Sequence, residues 1–423
     1  METTFIKKRI GTIAMLIMLI FSSKIAGQTT NVGVVYISPN TIMSTEGDLD
    51  NKTTGDLVND GDLYVYSHYN NDGMVTFLGK TGITRMRGLF GFQDISGSVP
   101  MQWYNGEFNN PITQQPAFHL SNEVSISGQA DFSKGIVDDD NYGGLMVFEN
   151  LATHINVDDA SHVDGYVRKN GNDAFRFPIG DKGQYRYAAI SAPDNKTDAF
   201  TGKYFFDNSD PLYSHTLKAG VIGEIDNKEY WTVDKTASNS DVFLTLSWDE
   251  DTTPSSIYAA PYDEIHIVRW DDSKKLWVDE GGVADATTKE VTTIINPLLG
   301  YGVFTLARVK SDIILPCGGR GVVVYNAISP NGDGVNDFFN IDGIDKCSTN
   351  NTVTVYNRWG VKVYETKAYN TNGNVFKGIS EGRETIDKEA KLPVGTYFYI
   401  INFMDDNGNK NITKSGYLYI NLD

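Results

Sequence analysis

The chain has 423 residues, 40% of them hydrophobic and 12% aromatic, so it is neither disordered nor fibrous and has room for roughly two to four domains. Its formal net charge is −18 and its Lys and Arg are scattered, which excludes nucleic acid as a partner and disfavours an anionic membrane surface.

The first element is an export signal. Lys7, Lys8 and Arg9 form a positive start, Ile10–Phe21 is apolar but too short to span a bilayer comfortably, and the small residues Ala26 and Gly27 precede Gln28. Residues 1–27 therefore read as a secretory signal peptide, with a membrane anchor as the alternative. Its loss removes Lys7, Lys8, Arg9, Lys24 and Glu2 from totals of 36 basic and 54 acidic residues, leaving 32 and 53, or −21.

Beyond it the expected fold class is all-β, because helical periodicity is nearly absent. Short apolar–polar alternation recurs between Asn-Gly, Asp-Gly and Gly-Gly turns. Asp62–Tyr69, Asp241–Trp248, Glu264–Trp270, Asn351–Trp359 and Gly395–Phe403 are the clearest strands, and only Gly382–Lys391 has the composition of a helical turn. In residues 28–165, "NDGDLYV" from Asn59, "NDGMVTF" from Asn71, "NGEF" from Asn105 and "SNEVSISG" from Ser121 each place a turn residue before a short strand. This loose repeat predicts a β-solenoid with Asn at its stacked corners. The irregular spacing leaves a sandwich as the alternative. Residues 166–310 have longer strands and Trp at 231, 248, 270 and 277, the pattern of an antiparallel β-sandwich. A linker near Lys310–Pro316 leads to a small β-sandwich over residues 317–423.

That last segment holds both cysteines, Cys317 and Cys347. In an exported protein they predict one disulfide, closing a loop of about thirty residues that contributes roughly 3–4 kcal/mol in the chain-entropy model; two buried thiols are the alternative. It also holds "ISPNGDGVND" from Ile328 to Asp337. Pro330 fixes φ, and Gly332 and Gly334 accommodate positive φ. Asn331, Asp333 and Asp337, with the carbonyl of Val335, are spaced as oxygen ligands of a calcium loop, but the distal bidentate Glu of an EF-hand is missing. The stretch is thus an Asx-rich turn, alone or also holding Ca²⁺, the single cofactor that the sequence suggests.

Four pieces in order carry a resemblance: "VYNAISPNGDGVNDFFNIDGI" (Val324–Ile344), "VTVYNRWGVKVYE" (Val353–Glu365), "LPVGTYFYII" (Leu392–Ile401) and "KSGYLYI" (Lys414–Ile420). Together with the cysteines they closely resemble the gliding motility-associated C-terminal domain of Bacteroidetes proteins, the type B sorting domain of type IX secretion system substrates. Phe376 stands where the family pattern has Trp. The resemblance implies a sorting motif at Pro330, Asn331, Gly332, Asp333, Gly334, Asn336 and Asp337, at Asn357, Arg358, Trp359 and Gly360, at Gly395, Thr396 and Tyr397, and at Gly416 and Tyr417. It implies the type IX translocon and its outer-membrane components as partners, and a location on the cell surface or outside the cell. Trp359 is read as a core residue with Arg358 lying over it; a recognition pair is the alternative. Ser161–Ser191 also resembles segments common in large secreted Bacteroidetes proteins.

No enzyme is expected. None of the six histidines forms an H-x-x-x-H pair, there is no G-x-S-x-G elbow or P-loop, and "GGRG" at Gly318 reads as a turn. Asp138, Asp139 and Asp140 are the one carboxylate group suited to a polysaccharide-active solenoid enzyme, and an acidic loop explains them as well. The expected function is a structural or adhesive surface protein, linked to gliding motility or attachment and contacting other surface proteins or polysaccharide. A carbohydrate-binding module is the alternative.

Overall fold

The computed structural model describes residues 27–89, 91–219, 222–293, 298, 300–309, 322–325, 327–332, 334, 336–380, 391–404 and 411–421. The export-signal pattern apart from Gly27, the linker, Cys317 and the Gly382–Lys391 stretch apart from Lys391 lie outside the described residues.

The N-terminal region is a β-solenoid. Its first coil consists of Thr29–Asn31, Val34–Ile37 and Ile42–Thr45, and each strand starts a different sheet. The second coil stacks on it in parallel register, with Thr29 beside Leu49, Val34 beside Asp56 and Ile42 beside Asp62. Inward residues such as Leu49, Leu57, Leu63 and Tyr69 are fully buried. Further along, the interior is aromatic: Trp103 lies 6.2 Å from Tyr69, and Phe108 packs 5.4 Å from both Phe118 and Phe132.

The Asn-x-Gly corners have a physical cause. Asn31 Oδ1 accepts the N–H of Gly33, and Asn71 Oδ1 accepts that of Gly73. The amide groups meanwhile form a ladder between coils: Asn31 donates to Asn51 Oδ1 (2.9 Å), and Asn51 donates to Asn71 Oδ1 (2.7 Å) and to the carbonyl of Met74 (3.0 Å). One side chain thus caps its own turn and ties down the next. Gly97, at φ 126°, sits where a Cβ would lie 1.9 Å from the carbonyl oxygen of Asn71, so no other residue fits that corner. Asn51→Ala orphans buried partners on both sides and is expected to cost about 2–3 kcal/mol, read as a lower melting temperature of the solenoid.

The solenoid has no break at its C-terminal end. Val167–Asn170 pairs in parallel with Leu145–Phe148 on one side and antiparallel with Ala199–Phe205 on the other. One 13-stranded sheet therefore runs from parallel coils into the central antiparallel region, through the boundary expected at 165/166. There a five-stranded sheet containing Ala188–Ile190, Leu244–Ser247 and Glu290–Thr292 faces it, making a sandwich. Ile190, Leu244, Leu246, Trp231, Phe304 and Leu306 share one core with the solenoid.

The C-terminal region has a separate core of Ile328, Phe339, Val353, Val355, Tyr369, Phe376, Ile401, Leu418 and others. Its main sheet has the order Ala327–Ile328, Asn411–Ile420, Gly395–Met404, Asn351–Tyr356, Lys362–Lys367, and a two-stranded ribbon joins Val323–Val324 to Ile341–Asp342. The last strand, Asn411–Ile420, is interior to the sheet, and it pairs with Gly395–Met404 from Gly395 beside Ile420 to Met404 beside Asn411.

Candidate functional site

The sorting-motif residues fall into two neighbouring places on the C-terminal domain. The first is the Pro330 loop. Asp337 closes it: its two carboxylate oxygens accept the N–H groups of Gly332 (2.6 Å) and Gly334 (2.8 Å), and Ser329 donates its N–H to the carbonyl of Asn336 (2.8 Å). Gly332 and Gly334 have φ of 87° and 89°, and Asn336 is left-handed at 54°. This is the capped Asx turn of the sequence reading. Asp333 and Val335 lie outside the described residues, and among the described residues no cluster of three or more His, Cys, Asp or Glu stands close enough to hold a metal. Pro330 is buried, and its carbonyl accepts a hydrogen bond from Lys391 Nζ (2.7 Å).

The second place is the tip of the hairpin between Asn351–Tyr356 and Lys362–Lys367. Asn357 Oδ1 accepts the N–H groups of Trp359 and Val361, both at 3.0 Å, and Gly360 completes the turn at φ 74°. The expectation that Trp359 is a core residue is overturned: it stands at the tip, 56% exposed, because the Asn357 side chain caps the turn and ends the strand before it. The Arg358 guanidinium lies 5.3 Å from its ring, in cation–π range. A cleft beside this tip is lined by Arg358, Trp359 and Lys362 on one side and by Leu392–Tyr397 on the other. It brings together the Asn-Arg-Trp-Gly and Gly-Thr-Tyr pieces, about forty residues apart in sequence. Tyr397 donates its hydroxyl to the carbonyl of Pro393 (3.0 Å); burial pushes its pKa up, and the nearby charge of Arg358 works against that rise.

Gly416 and Tyr417 do not line the cleft. Gly416 faces Tyr399 across the sheet, where a Cβ would lie 2.2 Å from the hydroxyl oxygen, so its role is to let that ring cross the strand. Phe376 fills its aromatic position: the ring is fully buried 4.9 Å from Tyr364, and its N–H donates to Tyr369 Oη (2.9 Å). Contacts with the central sandwich were not foreseen. Phe243 packs 5.3 Å from Tyr356 and beneath Gly360, and Thr396 Oγ1 donates to Asp285 (3.3 Å). No local signal marks these residues, since they meet the domain only through the folded chain.

The three aspartates at 138–140 are committed locally. Asp138 accepts the backbone and side-chain N–H groups of Asn141, Asp139 accepts the backbone N–H groups of Met146 and Tyr166, and Asp140 pairs with Lys203.

A small C-terminal β-domain with a separate core, a capped Asn-Gly-Asp-Gly loop and an exposed Arg-Trp tip is thus the site that the chain presents. Residues 322–420 of it match the family described as the CHU_C type IX secretion signal domain. The chain therefore carries a C-terminal sorting domain of the kind found in Bacteroidetes type IX secretion substrates. This implies contact with the type IX secretion machinery and export across the outer membrane to the cell surface or the extracellular space. The match covers about a quarter of the chain, and no curated protein and no solved structure matches significantly.

Proposed function

We propose that this is a non-enzymatic structural or adhesive protein of the cell surface, serving gliding motility or attachment. The observation that supports it is mechanical: one 13-stranded sheet and one core join the solenoid to the central sandwich, making an extended body without a hinge between them. The carbohydrate-binding reading needs open tryptophan or tyrosine faces, and Tyr36, Tyr325 and Tyr419 are among the exposed tyrosines. Trp103, Trp231, Trp248, Trp270 and Trp277 are all buried, leaving Trp359 as the exposed one of the six. On the solenoid's outer wall Phe92, His119 and Tyr142 stack on one another at 4.2 and 4.0 Å, so each of the two outer rings gives one face to His119 within the ladder while staying exposed. Labelling of intact cells is expected to find the protein on the surface, and its deletion to reduce attachment or gliding. Binding on a glycan array abolished by changing a single exposed aromatic residue would favour the other reading.

Within the sorting domain, the Arg358–Trp359 tip is proposed as the contact made with the secretion machinery. Both side chains project from a capped turn. Arg358→Ala and Trp359→Ala should therefore change the melting temperature little, by less than about 0.5 kcal/mol in stability, while slowing export. Export at the normal rate in both variants would place the contact elsewhere.

The Cys317–Cys347 pairing is likewise proposed. Cys347 ends the short helix Ile344–Cys347 and packs half-buried against the domain core. Labelling of unreduced, denatured protein should find no free thiol, and Cys347→Ala should cost about 2–4 kcal/mol of domain stability. Stoichiometric labelling of both residues would exclude the bond.

A further inference from the structure

The first coil of the solenoid is open on its outer side. Thr29–Asn31, Val34–Ile37 and Ile42–Thr45 are the terminal strands of their three sheets, and among the described residues no strand pairs with them on that side. The core is open there too. Val35 and Met43 point inward but are only partly buried, whereas Leu57 and Leu63, beside them one coil further in, are fully buried. Val32, Val34, Tyr36 and Ile42 are exposed, Val34 at 77%. The three strands carry no charged residue, proline or bulge, the devices that normally blunt a sheet edge. At the opposite end the solenoid core continues into the central sandwich, whereas among the described residues no polar cap of the kind that stacked-repeat folds need for solubility covers the core at this end.

We propose that this coil docks head to head on the same coil of a second copy of the chain. The occupant has to offer three uncharged strand edges around a three-sided cross-section of the same size, and a second copy does so by symmetry. With a two-fold axis through Val34–Ile37, that strand pairs antiparallel with its own copy. Thr29–Asn31, of three residues, then meets the second copy's Ile42–Thr45, of four. A one-residue slip would turn the core side outward, so inward residues must face inward ones. Val35 accordingly meets its own copy, Val34 lies across from Tyr36, and Val35 and Met43 close the two cores against each other. The uncharged seam is what lets two chains, each carrying −21 once residues 1–27 are lost, approach end to end.

The test is sedimentation of the full exported chain over a range of concentrations, with amide exchange read over residues 29–45. The expected result is a mass rising to twice that of the protomer, with exchange in the three strands slowing in step. Val34→Lys combined with Tyr36→Lys sets like charges opposite each other across the seam and should weaken self-association about tenfold or more. Both side chains are exposed, so the melting temperature should hold; Thr30→Lys, on a neighbouring edge strand, provides a second variant. A monomer at every concentration overturns the proposal. So does a dimer that these variants leave intact, or a coil that binds polysaccharide or another surface protein instead of its copy.

Discussion

Deleting Gly416–Asp423 is expected to trap the protein in the periplasm. Asn411–Ile420 is an interior strand, pairing antiparallel with Gly395–Met404 and in parallel with Ala327–Ile328. The deletion removes Leu418 and Ile420, both fully buried, and strips hydrogen-bond partners from two strands at once. Each lost core side chain costs about 2–5 kcal/mol, and the unpaired strand adds buried, unsatisfied N–H and C=O groups. A small domain has about 5–15 kcal/mol to lose, so the sorting domain should unfold rather than adjust. Fractionation of cells followed by immunoblotting checks this. Arg358→Ala is the control that separates a lost surface contact from a lost fold, because it leaves the core untouched. Truncated protein on the surface in normal amounts would contradict the assignment of this domain.

The second large effect is a loss of solenoid stability as pH rises through neutrality. In-register stacking places Asp164 directly beside Asp138 of the preceding coil, strand against strand. Burial first, then the charges of Asp181 and Asp138, push the Asp164 pKa up to about 7 from the ordinary value of 3.8. A raised carboxyl pKa means that the folded state holds a proton which the unfolded state has released. The stability it contributes is present in full below about pH 4 and is lost as pH climbs through about 7. Asp164 is partly exposed, so solvent screening reduces the effect to about 2 kcal/mol at most. The melting temperature of the solenoid should be higher at pH 5 than at pH 8, and Asp164→Asn should flatten that difference. Asp139, which burial also pushes well up, adds to the same slope and should retain its share in the variant. An unchanged pH slope in Asp164→Asn would show that this carboxyl does not govern it.

Much of the solenoid was legible from its corners. Asn-x-Gly placed before short strands is the signature of a side chain that caps its own turn and bonds to a neighbouring coil, as Asn71 does with Gly73 and with Asn51 of the preceding coil. What obscured the repeat is coil length. Successive strands of one sheet begin at Thr29, Leu49, Tyr69, Gln93, Phe118, Val137 and Val163, because the corners absorb insertions while the strands keep register. The same economy hides corners inside apparent strands: Asp62–Tyr69 reads as one strand, yet it folds as Asp62–Val65 followed by a turn into Tyr69–Asn71. Alternation records burial on one face and carries no information about where the chain bends.

In the sorting domain, motif order identified the family but misplaced Trp359. An apolar ring after a strand pattern reads as core, while the signal that mattered was Asn357 three residues before Gly360, a cap and a left-handed position that define a hairpin tip. The cleft that joins Arg358 to Leu392–Tyr397, and the seat of Gly360 on Phe243, arise from tertiary packing that local patterning does not encode.

The C-terminal domain is expected to direct export by itself, although it packs against Phe243 and Asp285 of the central sandwich. Residues 317–423 fused behind a signal peptide and a foreign periplasmic protein should carry that protein across the outer membrane, where added protease digests it on intact cells. If the fusion is stable but stays protected in the periplasm, the domain is not sufficient for sorting and the account is wrong.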